Sequence, residues 1–144
     1  MAQSVESGLW VEGVAATPVK VSVSALERLP QRVDAFAVKP GEAGVKFRCT
    51  RLSDVLAYAG LPMGTALRGN RLAESVKVQA RDGYEVVFAI AELDEQFREP
   101  TPLLCFEREG RAMADDEGPF RVIVADDKKR GRWVRQVERI ILRK

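Results

Sequence analysis

Apolar and polar positions alternate along most of this chain, and only short stretches keep a helical period. Residues 8–23 read as two short strands around a turn at Ala16-Thr17-Pro18, with Trp10, Val11 and Val14 as their apolar contacts. Ser24 stands where a helix cap would, with Glu27 at the capping-box position. Ala25, Leu26 and Leu29 follow on one side before Pro30 ends the segment. A strand fits Val33–Val38, and Val45, Phe47 and Cys49 share one face of the next. The clearest helix follows: Leu52, Val55, Leu56 and Ala59 fall at i, i+3, i+4 and i+7, with Gly60 as its stop before Pro62.

Further on, Ser75–Ala80 and Glu85–Ala89 are strands joined by Arg81-Asp82-Gly83-Tyr84, whose Asp-Gly pair marks a tight turn. Ile90–Phe97 fits a short acidic helix that packs Leu93 and Phe97, and Leu103–Phe106 is again a strand. In the last quarter, Phe120, Val122 and Val124 alternate with Arg121 and Ile123, and Trp133–Leu142 reads as a closing strand. The connection between these two carries Lys128, Lys129, Arg130 and Arg132 around Gly131. A hairpin with such a loop serves as an anion site, as a contact for a phosphate backbone, or simply as a solvated turn. The residues themselves leave all three open.

The pattern amounts to about eight strands and three short helices, the helices being too short for regular crossovers. The fold class expected is α+β, a mixed, largely antiparallel sheet curling toward a barrel. Phe47, Leu52, Val55, Leu56, Val86, Phe120, Val122 and Ile140 are expected to share one core.

Composition narrows the function more than the fold. At 144 residues the whole chain, 1–144, is expected to form a single domain. No stretch approaches 18 uninterrupted apolar residues, so no membrane span is expected. Net charge is only +2, but it is unevenly spread. Residues 128–144 hold eight basic and one acidic side chain (+7), whereas residues 91–117 hold nine acidic and three basic (−6). Such polarity steers an anionic ligand or an acidic partner, or reflects two solvated surfaces. Aromatic residues are 7% of the chain and none interleaves with the basic run as a stacking platform, so a nucleic-acid partner is not expected. Histidine is absent, which excludes Cys/His zinc and any histidine relay. Cys49 shares a face with Val45 and Phe47, as a buried cysteine would. Its pairing with Cys105 depends on whether their strands are neighbours. The opening Met1-Ala2-Gln3-Ser4 has neither a charged nor an apolar leader region. The location expected is periplasmic if a signal peptide has been removed, and cytoplasmic otherwise.

Four stretches in order carry a family resemblance: Gly13–Pro30, Phe47–Gly60, Val78-Gln-Ala-Arg-Asp-Gly-Tyr-Glu-Val86, and Gly118-Pro-Phe-Arg121 running on to Ile140. Together they resemble the molybdopterin-binding domain of the sulfite oxidase family, in its small stand-alone bacterial form. The resemblance extends from about residue 8 to residue 142. It implies an oxidoreductase fold with a pterin-bound molybdenum held by one cysteine thiolate. The ligand cysteine would fall near Ala35–Val38, where this chain has Ala-Phe-Ala-Val, while Cys49 occupies a position that is usually glycine. The resemblance therefore implies molybdopterin as cofactor but leaves its ligand position unmatched. Neither a catalytic residue nor a metal ligand is assigned.

The cofactor-binding candidates are Arg121, Arg132, Tyr84, Lys128 and Lys129, the two arginines preferred because a guanidinium fork suits phosphate or carboxylate. Two function classes follow. One is a relative of the oxidoreductase domain that keeps a cleft for a small anionic ligand. The other is a non-catalytic interaction module that docks a redox or other protein through its charged faces.

Overall fold

The alternating segments become nine strands in two sheets, seen in a computed structural model that describes residues 7–144. Met1-Ala2-Gln3-Ser4, read above for a leader, lies outside the described residues. The first sheet has the order β2-β1-β9-β5-β6, built from β1 (Gly8–Glu12), β2 (Val19–Ser22), β5 (Ser75–Ala80), β6 (Glu85–Ala89) and β9 (Val137–Arg143). The second has the order β3-β4-β7-β8, built from β3 (Arg32–Phe36), β4 (Val45–Arg51), β7 (Leu103–Arg108) and β8 (Arg121–Ile123). Every pair is antiparallel except β1 with β9, so the mixed, largely antiparallel α+β class is what the chain adopts.

Two α-helices cover the sheets, α1 (Val23–Glu27) and α2 (Leu52–Tyr58). The cap of α1 is Ser22, whose hydroxyl accepts from the Ala25 amide at 3.2 Å, not the expected Ser24. Strand β2 runs directly into the helix, so its last serine takes the capping position. Helix α2 ends as its sequence indicates. Gly60 sits at φ +109° and donates to Ala57, while Leu61 donates to Leu56, the paired bonds of a glycine-terminated helix. The expected acidic helix at 90–97 shrinks to a 3-10 turn, Ile90–Leu93. Leu93 is buried there, but Phe97 is 49% exposed and packs no core.

All eight residues expected in the core belong to one cluster of buried side chains, which Leu9, Leu26, Phe88, Ile90 and Leu104 enlarge. Strands β7 and β8 lie within it, with Leu103–Phe106 and Arg121–Ile123 buried without alternation. Cys49 and Cys105 lie opposite each other on β4 and β7, both wholly buried and joined as a disulfide.

The largest departure from the sequence reading concerns the last quarter. Strands β8 and β9 do not form a hairpin, because β8 belongs to the four-stranded sheet and β9 to the five-stranded one. The basic connection is a crossover between sheets. It is stitched to the strand before it: Val122 donates to Val134 (2.8 Å), Val137 to Phe120 (2.9 Å) and Gln136 to Glu117 (2.8 Å). The Trp133 indole closes the loop on itself by donating to the Val124 carbonyl at 2.8 Å.

Candidate functional site

Where the crossover leaves β8, a cleft opens in two adjoining lobes of about 460 and 330 Å³. The larger is lined by Val38, Lys39, Glu42, Arg108 and Glu117, and the smaller by Tyr84, Arg130, Trp133 and Gln136 among others. Asp116, Arg121 and Arg135 line both and so mark the neck between them.

Arg121 owes its position to β8. The strand is buried on both faces, so a side chain pointing away from Val122 still meets protein, and the guanidinium is left only 7% exposed. Glu117, from the loop just before Gly118-Pro119, meets it with a carboxylate that is 9% exposed. The same carboxylate accepts from Arg108 Nη1 through both oxygens at 3.0 Å. Arg108 comes from the end of β7, the neighbour of β8, and also lies over the Phe47 ring at 5.7 Å. A buried cation without a counter-charge is costly, and Glu117 provides it. The match is incomplete, because Arg121 Nε has no hydrogen-bond partner among the described residues. Burial pushes the Arg121 pKa below the ordinary arginine value. Glu117 opposes that shift, while the nearby cations Arg135 and Arg108 reinforce it.

Arg132 is placed differently. All five of its N–H donors are engaged: Nε and Nη2 on Asp127 at 2.9 Å each, Nη2 and Nη1 on Glu92 at 3.1 and 3.3 Å, and Nη1 on the Val87 carbonyl at 3.2 Å. Its guanidinium also covers the Phe88 ring at 4.5 Å. The hydrogen bond to Asp127, followed by those to Glu92, raises its pKa above the ordinary value in spite of partial burial. Arg132 is thus a clamp that pins the crossover to β6 and the 90–93 turn, away from the cleft.

The other candidates divide likewise. Tyr84 lies on the smaller lobe, its hydroxyl donating to the Gly131 carbonyl, and its own amide donates to Asp82 Oδ1 (3.0 Å) in the turn that Gly83 completes at φ +92°. Lys128 and Lys129 are exposed on the crossover and line neither lobe. Arg130, which the reading left in the general basic run, stacks on Trp133 at 5.0 Å and donates to the Ala37 carbonyl at 3.0 Å. The fold therefore brings Arg121 and Tyr84 to one cleft and leaves Arg132, Lys128 and Lys129 off its walls. The sequence reading missed Arg108, Glu117 and Arg135. Only Glu117 left a local trace, an acid four residues before Arg121 across a Gly-Pro turn. Arg108 comes from another strand and carries no such signal.

The charge separation along the sequence is partly cancelled in space. The acidic segment supplies Glu92 to Arg132 of the basic one, an ion pair that joins the two, and Glu117 to Arg121, which lies between them in sequence.

A molybdenum centre held by a thiolate needs a soft sulfur donor in the cleft. The stretch that resemblance aligns with the ligand does reach it, since Val38 lines the larger lobe, but it presents an alkyl side chain. Both cysteines are bound to each other in the core, and no group of three or more Cys, His, Asp or Glu among the described residues is arranged to hold a metal. The donor set does not fit such a centre.

No protein-family model and no curated protein matches the sequence. Among solved structures, the fold is similar to that of the sulfane dehydrogenase SoxCD from Paracoccus pantotrophus, with a TM-score of 0.66 at 15% sequence identity. The match covers 94% of this chain but 37% of that one, so the chain spans little more than a third of its neighbour's length. At that identity the likeness shows a related α+β fold. Among the described residues no helix is long and apolar enough to cross a membrane.

Proposed function

We propose that this chain is a divergent relative of the sulfite-oxidase-type molybdopterin domain that lacks a thiolate anchor for molybdenum and uses its cleft to bind a small anionic group. The observation that carries this reading is Arg121: a guanidinium nearly closed off from solvent, at the wall common to both lobes, with an Nε that has no partner among the described residues. Arg108 and Arg121 share the single buried carboxylate of Glu117 there, and Arg135 lines the same cleft without a side-chain partner among the described residues. An anion between Arg121 and Arg135 would relieve their mutual repulsion and complete the hydrogen bonding. Arg121 and Arg135 are the contacts in this scheme and Tyr84 borders them. Arg132 holds the wall, and Lys128 and Lys129 add a long-range attractive field that salt screens.

Calorimetric titration of sulfate into wild type, Arg135→Ala and Arg132→Ala at two ionic strengths tests the site. Loss of Arg135 should weaken binding about tenfold or more, roughly 1.4 kcal/mol, and loss of Arg132 by much less. Equal weak binding by all three, disappearing together in high salt, would leave only general surface charge and favour the interaction module. The missing anchor has its own test. Protein purified from the native host should carry little molybdenum, and about one atom per chain would overturn that part.

A second proposal rests on the buried Cys49–Cys105 disulfide, which favours maturation in an oxidising compartment such as a bacterial periplasm. Alkylation of native-host protein before and after reduction, read by mass, should find both thiols protected until reduction.

A further inference from the structure

The walls of the cleft are not uniformly basic. Asp116 stands at the neck beside Arg121 and Arg135, and Glu42 lies on the larger lobe. Neither carboxylate makes a hydrogen bond or an ion pair through its side chain among the described residues, and Arg135 makes none either. These opposite charges share one cleft of about 460 Å³ yet do not pair with one another, so the space between them has to be bridged by solvent or by a ligand. Glu117 is different, because its two oxygens already serve Arg108 and Arg121.

The unmatched carboxylates discriminate between kinds of ligand. A plain anion drawn to Arg121 and Arg135 meets like charge from Asp116 and Glu42, which works against it. A molecule that carries a cationic group a short distance from its anionic one turns the same two carboxylates into partners. The observation beside them is the one under the anion reading: Arg121, nearly buried, lines both lobes and has an Nε without a partner among the described residues.

We infer that the cleft takes a small zwitterion, an amino-carboxylate of short chain, with its carboxylate between Arg121 and Arg135 and its ammonium toward Asp116 and Glu42. This rests on the reading of the cleft as an anion site and adds the cationic half of the ligand. Binding needs no covalent step, and because Asp116, Arg121 and Arg135 line the same neck a short-chain ligand is the one to test.

The experiment compares β-alanine with propionate, which has the same carbon chain without the amine, by calorimetric titration into the full chain. β-Alanine should bind about tenfold tighter than propionate. The Asp116→Asn, Glu42→Gln double variant should lose that preference while binding propionate as well as wild type or better. Both positions are exposed, and the variant's thermal midpoint should match that of wild type. Should propionate and sulfate bind while β-alanine gains nothing, or should the double variant keep the preference, the zwitterion is wrong and the anion site stands. If propionate, sulfate and β-alanine all fail to bind, the anion reading falls and this inference with it.

Discussion

Two arginines on either side of the crossover show how differently one residue type can be used. Arg132 spends all five donors on Asp127, Glu92 and the Val87 carbonyl, lies over the Phe88 ring, and has a raised pKa. Arg121 is more deeply buried, shares one carboxylate with Arg108, has an Nε without a partner among the described residues, and has a lowered pKa. Both are cations of the last quarter, and a count of positive charge treats them alike. What separates them is how many donors the protein itself has satisfied. A saturated guanidinium is structure, whereas one that is buried and incompletely matched still has binding capacity.

The contrast is broken most forcefully at Glu117. Glu117→Ala leaves Arg121 buried without its counter-ion, and should cost about 3–5 kcal/mol of unfolding free energy in urea denaturation. A loss below about 1 kcal/mol, the range of an exposed pair, would mean that Arg121 is solvated and that the two arginines do not differ in kind. Next comes the disulfide, which lies in the core, its Cys105 facing Arg121 across the β7–β8 pair. The Cys49→Ala, Cys105→Ala double variant should lose about 2–4 kcal/mol. Sulfate affinity should be kept, because Arg121 is held by the Glu117 carboxylate and not by the disulfide, and this separates the stability of the fold from the state of the cleft.

Arg132→Ala is expected to cost about 1–2 kcal/mol, from partly exposed ion pairs and the stacking on Phe88. Much of the ion-pair share should disappear when chemical denaturation is repeated at high salt, whereas the Glu117 effect persists. The smallest effect belongs to Asp54, the acidic counterpart of an incompletely matched group, since its Oδ2 also has no partner among the described residues. Burial raises its pKa above the ordinary aspartate value, despite Arg51 nearby. Because the folded pKa is the higher one, its contribution to stability is present below the unfolded value of about 3.9 and is lost as pH rises through the folded pKa. Asp54→Asn should therefore raise the thermal midpoint slightly at pH 7, and the gain should vanish as pH falls below about 4. A gain that instead grows toward acid would assign Asp54 a stabilising ion pair with Arg51.

Local chemistry was enough to read much of the architecture from the chain alone. Period-2 alternation located Ser75–Ala80 and Glu85–Ala89 to the residue, because each has one face in the core and one toward solvent. The i, i+3, i+4, i+7 spacing located α2, and Gly60 ended it because that position needs φ above zero. At residues 90–97 the expected helix was wrong: a few apolar positions fit a turn as well as a helix, the chain makes a 3-10 turn over Ile90–Leu93, and Phe97 goes to solvent.

Contacts between distant segments were decided only by the tertiary structure. Phe120–Val124 and Trp133–Leu142 look like two arms of a hairpin because each is a good strand, and nothing local says that they enter different sheets. Cys49 and Cys105 pair because β4 and β7 are neighbours, a matter of strand order. Arg121 and Arg132 carry the same side chain 11 positions apart. One is committed by Glu92, which the chain brings from 40 residues away, and the other is held by Glu117 and the end of β7. Which arginine is left with capacity for a ligand is set by partners remote in sequence, and their convergence exists only once the two sheets have packed.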